Sequence, residues 1–128
     1  MTVVTNRAGE TKSLVAAGSF TTESDTQPPA GKGAGFRPHE LLEAALASCT
    51  AITLRMLADK RGLALEAAIV RVELDRSDPE EVTFRIQIDL EGELSEAERE
   101  FLLSGARACP VRKTLSKRLS FSDAQMLL

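Results

Sequence analysis

The sequence predicts an α+β fold, ordered βββ-α-ββ-αα-β around one long central helix. Three observations carry that reading. Val70, Val72 and Leu74, and then Val82, Phe84, Ile86, Ile88 and Leu90, alternate with polar residues at a period of two, the pattern of half-buried strands. From Pro38 to about Lys60 the apolar residues cover most of a helical circumference. Strand-like and helix-like segments come in runs, which argues for segregated layers of sheet and helix.

The elements follow in order. Residues 1–25 carry short apolar clusters at Val3/Val4, Leu14 to Ala17 and Phe20, separated by Asn6-Arg7-Ala8-Gly9 and by Gly18, and read as two or three short strands joined by tight turns. Thr26 to Phe36 holds Pro28-Pro29 and Gly31, Gly33 and Gly35, which reads as a loop with no regular structure and with freedom to move. Pro38 suits the first turn of a helix, where its missing N–H would be unpaired anyway. Leu41, Leu42, Ala44 to Ala47, Ala51, Ile52, Leu54, Met56 and Leu57 then make that helix apolar nearly all round, which predicts burial on nearly all sides, and its alanines allow a close neighbour. Gly62 is placed to end it in a left-handed cap. After the two alternating strands and their turn at Ser77-Asp78-Pro79, Ser95 and Glu98 match a capping box that opens a helix to about Ala108. Cys109-Pro110 interrupts it and starts another helix to about Lys117, followed by a short strand near Ser120 to Leu127.

At 128 residues the chain reads as one domain over residues 1–128, of a size whose core an oligomer would help to complete. A net charge of −3, from 16 basic and 19 acidic residues, gives no electrostatic footprint for nucleic acid. No stretch approaches the roughly 18 uncharged apolar residues of a bilayer span, and the N-terminus lacks the apolar run of a signal peptide, so neither a membrane nor export is expected. The default compartment is the cytoplasm. In that reducing setting two cysteines are more often redox-active, metal-binding or buried than a structural staple.

With one histidine, no tyrosine and no tryptophan, thiol chemistry is where a function is first sought. Cys109 precedes Pro110 at the start of a helix carrying Arg112 and Lys113, where unpaired N–H groups favour a thiolate. Cys49 shares its helix face with Leu42, Ala45, Ile52 and Met56, an apolar setting that raises a thiol's pKa unless the fold brings in a cation. Local sequence thus makes Cys109 look reactive and Cys49 inert. Core packing of both is the competing reading, since free cysteine is among the most often buried residues. A metal site is disfavoured, for there is no Cys-x-x-Cys and His39 is the one imidazole, read as a surface residue of the first helical turn. Gly31-Lys32-Gly33-Ala34-Gly35 lacks the ending of a phosphate loop.

Two blocks, Gly35-Phe36-Arg37-Pro38-His39-Glu40-Leu41-Leu42-Glu43-Ala44-Ala45-Leu46-Ala47-Ser48-Cys49-Thr50-Ala51-Ile52-Thr53-Leu54-Arg55-Met56 and Ala108-Cys109-Pro110-Val111-Arg112-Lys113-Thr114-Leu115, resemble the OsmC/Ohr family, the osmotically inducible protein C and organic hydroperoxide resistance proteins. The resemblance covers essentially the whole chain in element order. It implies an intertwined homodimer in which the two long helices pack together, flanked by sheets to which both subunits contribute. It also implies reduction of organic hydroperoxides, with Cys49 as the peroxidatic residue and Cys109 as the resolving one. The resulting disulfide would be reduced by an external dithiol, with no bound cofactor and no metal. That reverses the local ranking of the two thiols. The resemblance further implies an arginine from the N-terminal strands beside the thiolate. Arg7, the sole arginine before Arg37, is the candidate, with a solvated turn residue as its other reading. His39 takes the place of the glutamate that follows the proline in the family's peroxidases, and Glu40, nine residues before Cys49, faces roughly 180° away on a straight helix. The pattern resembles a less characterised branch.

Two functions are therefore expected in competition. One is a cytoplasmic, dimeric thiol peroxidase acting on a small hydroperoxide. The other is a stress-associated protein that keeps the fold without rapid catalysis and binds a small hydrophobic ligand at the dimer interface.

Overall fold

The structure is a computed structural model that describes residues 1–124. Eight elements plus one 3-10 turn follow the predicted order, namely β1 (Thr2–Asn6), β2 (Ser13–Ala17), β3 (Phe20–Ser24), α1 (Pro38–Arg61), β4 (Ala67–Asp75), β5 (Thr83–Glu91), α2 (Glu96–Gly105), the 3-10 turn Ala106–Ala108 and α3 (Pro110–Leu115). The final strand expected near Ser120 is absent from 120–124, where the backbone is irregular, and the remainder of that expectation lies outside the described residues. The chain forms two compact units. Met1–Ala45 with Val72–Arg85 makes the first, and Leu46–Arg71 with the described residues from Ile86 makes the second. Helix α1 and the β4-β5 hairpin contribute to both.

In the first unit, β1, β2 and β3 form an antiparallel sheet in that order, with Thr2 opposite Ala17 and Ser13 opposite Ser24. Gly18 opens the two-residue β2-β3 turn at φ +61°, the position where type II′ hairpins take glycine. The Asn6 amide donates to the carbonyls of Glu10 and Lys12 at 3.0 and 3.2 Å and shapes the preceding turn. Val3, Val4, Leu14 and Phe20 of this sheet are all exposed.

The Pro/Gly-rich loop is organised by one carboxylate. Asp25, 4% exposed, accepts hydrogen bonds from the Thr11 hydroxyl at 2.6 Å and from the N–H groups of Thr26, Ala34 and Lys32 at 2.8, 3.0 and 3.4 Å. Gly31 is demanded by the same cluster, since a Cβ there would lie 2.5 Å from both the Thr11 hydroxyl and the Thr26 carbonyl. A loop read as free to move is thus wrapped on an internal anion. The Thr11 hydroxyl first, then the loop N–H groups, hold the Asp25 pKa at about 2 against an ordinary 3.8. Because the folded value is the depressed one, this stabilisation is complete above the unfolded pKa and is lost as pH falls from about 4 through about 2. Asp25→Asn is expected to flatten the fall of Tm over that window in thermal melts. A variant as acid-sensitive as the parent would show that this carboxylate does not hold the loop.

At the hairpin end in the same unit, Asp75 accepts from Ser77 N–H and Oγ at 2.9 and 2.6 Å and from Arg85 at 2.6 Å. The Glu43 carboxylate of α1 accepts the Leu74 N–H at 2.7 Å.

The second unit holds the apolar core. Leu54 and Ala58 of α1 pack with Leu65, Leu102 and Ala106, flanked by Leu57, Val70, Ile88 and Phe101. The predicted caps are formed. Gly62 sits at φ +63° while Leu63 N–H reaches back to the Ala58 carbonyl at 2.8 Å. Ser95 and Glu98 exchange the two bonds of a capping box at 3.1 and 2.8 Å. Gly92, at φ +136°, passes so close to the Ala64 carbonyl that a Cβ would overlap it.

One expectation is corrected here. Helix α1 buries Leu46, Thr50, Leu54 and Ala58, but Leu42, Ile52 and Met56 stand 45, 57 and 67% exposed. Its apolar circumference is wider than the rest of a single chain covers. The expectation that no stretch approaches a bilayer span is corrected too, since α1 is long and apolar enough by length and composition to suit one. In this fold its buried face belongs to the core, and Arg55 donates to the Leu65 carbonyl at 2.8 Å.

Candidate thiol site

Both cysteines belong to the second unit, both are free thiols, and each perturbs the other. Their positions follow from local structure. At about 100° per residue, Cys49 lies on the border of α1 between the buried row of Leu46, Thr50 and Leu54 and the open row of Ala45, Ile52 and Met56. It is accordingly half-buried. Cys109 cannot continue the preceding helix because Pro110 follows, and at φ −55°, ψ 126° it becomes the N-cap of α3. Its sulfur accepts the Arg112 N–H at 3.5 Å, and the residue is fully buried.

The electrostatics divide the pair. The neighbouring Cys109 sulfur is the main influence that raises the Cys49 pKa, opposed by the Val111 N–H and reinforced by burial. For Cys109 burial is the largest single influence and pushes upward. Hydrogen bonds from Cys49, the Arg112 N–H, Thr50 and the Val111 N–H together outweigh it, so its pKa falls below the ordinary thiol value. Two such close thiols titrate as a unit, losing the first proton more readily than an isolated cysteine and the second less readily. This is the local ranking that the sequence suggested, with the α3 cap favouring charge on Cys109.

Two residues that sequence reasoning missed complete the surroundings. Thr50, 2% exposed, donates to the Leu46 carbonyl at 2.8 Å beside Cys109, and Thr53 donates to the Cys49 carbonyl at 2.8 Å. A hydroxyl directly after a helical cysteine was the available signal, but which side of α1 would be buried was not in the local pattern.

Arg7 belongs to the first unit, exposed in the β1-β2 turn, where it lines a shallow cleft of about 170 Å³ with Glu10, Lys12 and Glu23. His39 is exposed on the first turn of α1. Glu40 caps that helix, its carboxylate accepting the Arg37 N–H at 2.9 Å, and that bond lowers its pKa. Among the described residues, no three His, Cys, Asp or Glu side chains gather as a metal ion would need.

This order of elements, with a cysteine midway along the long helix and another ahead of a proline-started helix, defines a class. Residues 31–122 match the family model of OsmC-like proteins, and the chain belongs to that family. Solved structures share its fold. A Psychrobacter arcticus protein named for osmotic-stress induction and detoxification is 24% identical, with a TM-score of 0.75 over 88% of this chain and 85% of its own. An OsmC-like protein from Mycoplasma pneumoniae is 20% identical, with a TM-score of 0.75 over 90 and 85%. The organic hydroperoxide resistance protein OhrB of Bacillus subtilis is 18% identical, with a TM-score of 0.63 over 91 and 90%. Among proteins of curated function, none matches the chain.

Proposed function

We propose that this protein is a thiol peroxidase that reduces organic hydroperoxides through Cys49 and Cys109. The observation that carries the reading is the pair itself, one half-buried sulfur and one fully buried sulfur influencing each other directly within one compact unit. Passing the shared proton from Cys49 to Cys109 puts the charge on the accessible sulfur. The Cys49 thiolate attacks the terminal peroxide oxygen, the O–O bond breaks, and the alkoxide leaves as the alcohol with a proton, giving a sulfenic acid at Cys49. Cys109 then attacks that sulfur and water departs, so two thiols and one hydroperoxide become one disulfide, one alcohol and one water. An external dithiol restores the thiols. Arg7 is assigned to steady the Cys49 thiolate, a role that rests on the family resemblance.

The working unit proposed is a homodimer. Its support is the open apolar row of α1, Leu42, Ile52 and Met56, together with the uncovered Val3, Val4, Leu14 and Phe20 of the first unit. Cys49 borders that row instead of lying at its centre, so covering the row leaves a route to the sulfur along its edge.

A second reading, a slow or non-catalytic binder of small hydrophobic molecules, is favoured by the upward push on the Cys49 pKa. Intact mass after one equivalent of cumene hydroperoxide separates the two. Loss of two hydrogens is expected for the peroxidase. A gain of one oxygen marks a sulfenic acid that Cys109 fails to resolve, and no change supports the binder.

A further inference from the structure

Resting on the reading above that the two cysteines form a disulfide, we propose that the external thiol reduces it at the sulfur of Cys49, with Cys109 as the leaving group. Thiol–disulfide exchange has two possible directions here, and three observations select the same one.

The first is access. Cys109 has no exposed surface, enclosed beside Thr50 and Ala106, which are 2 and 4% exposed, whereas Cys49 is half-buried on the border of the open α1 row. Assembly into a dimer can cover more of Cys49 but cannot uncover Cys109.

The second is the fate of the displaced sulfur. The sulfur that leaves carries a negative charge, and exchange is faster when that thiolate is better stabilised. Cys109 is held at the N-cap of α3 with its sulfur facing the Arg112 N–H at 3.5 Å. Thr50, whose hydroxyl donates to the Leu46 carbonyl at 2.8 Å, stands beside it and lowers its pKa. Cys49, expelled in the opposite direction, would have the Val111 N–H and the Thr53 hydroxyl near it, but its neighbourhood raises its pKa, whereas the set of donors at Cys109 lowers that of Cys109.

The third is the titration order of the pair. Cys109 is the more acidic partner and Cys49 the less acidic, which ranks Cys109 as the better leaving group.

A thiolate of the reductant forms a bond to Sγ of Cys49, the Cys49–Cys109 bond breaks, and its electron pair remains on Cys109. The second thiol of a dithiol then attacks the reductant sulfur held on Cys49, closes the cyclic disulfide and releases Cys49. The two protons of the dithiol end on the two cysteines. A monothiol stops at the mixed disulfide, so the site of attack can be recorded.

The test uses the full chain, oxidised in parallel with cumene hydroperoxide and with diamide, the disulfide being verified by loss of two hydrogens. Glutathione is added briefly, acid stops the exchange, and N-ethylmaleimide labels the thiol set free. Trypsin separates the two sulfurs, since Arg55 and Arg107 lie between them. The expected result is glutathione on the peptide of Cys49 and maleimide on that of Cys109, with the reverse product at least about tenfold rarer, a factor equivalent to ~1.4 kcal/mol. An even split or the reverse labelling overturns the proposal. A disulfide formed by diamide but not by hydroperoxide would remove the peroxidase reading while leaving this selectivity to be read on the diamide sample. Failure of both oxidants to form one would remove both.

Discussion

Replacing Cys49 by serine is expected to slow hydroperoxide consumption at least ~1,000-fold, about 4 kcal/mol of activation free energy. A serine hydroxyl is not ionised at neutral pH and forms no sulfenic acid, so the first step has no nucleophile. The matching change at the second sulfur has a different signature. Cys109→Ser keeps the attacking sulfur and removes its resolving partner, so one equivalent of peroxide is consumed in a burst and Cys49 stalls as sulfenic acid or proceeds to sulfinic acid under excess peroxide. Stopped-flow peroxide consumption with intact-mass readout checks both variants. Loss of turnover in neither would end the peroxidase reading, and a one-equivalent burst in Cys49→Ser with none in Cys109→Ser would assign the attack to Cys109.

The local and the family arguments ranked the two sulfurs in opposite orders, and the fold explains why each had a basis. Pro110 forces Cys109 into an N-cap, a property of five or six adjacent residues, so its hydrogen-bonded and more acidic character was visible in the sequence. Whether peroxide can reach a sulfur depends on what covers it, and nothing near Cys109 in sequence states that Thr50, far earlier in the chain, is buried beside it. The same division holds for the fold. The Ser95–Glu98 capping box, the Gly62 cap and the period-two strands are local devices, and each was legible. The Asp25 hub was not. Its donors come from Thr11, Thr26, Lys32 and Ala34, and composition alone presents that stretch as a loose loop. The breadth of the apolar surface on α1 was read correctly, but not how much of it one chain covers, because periodicity records what must be buried and is silent on whether a second chain buries it.

That uncovered surface carries the other large prediction. In the homodimer proposed above, Ile52 lies on the open row of α1, 57% exposed in the single chain, between Met56 and Ala45. Twofold symmetry places the same row of each subunit against the other, so one substitution acts twice. Ile52→Asp removes two apolar side chains, each contributing about 1.5–3 kcal/mol when fully buried. It also sets two carboxylates against each other in a desolvated seam, where an unpaired charge costs several kcal/mol. A combined loss of only ~4 kcal/mol raises the dissociation constant about 10³-fold. The variant is therefore expected to sediment as a monomer at micromolar concentration where the parent sediments as a dimer. Its helical circular dichroism should be retained, because an exposed position in the single chain changes monomer stability by no more than about 0.5 kcal/mol. Ile52→Val, which keeps the seam apolar, should remain dimeric. A parent that is monomeric at that concentration would overturn the homodimer, and an aspartate variant that dimerises as tightly as the parent would remove α1 as the seam and leave the exposed sheet of the first unit as the surface to be covered.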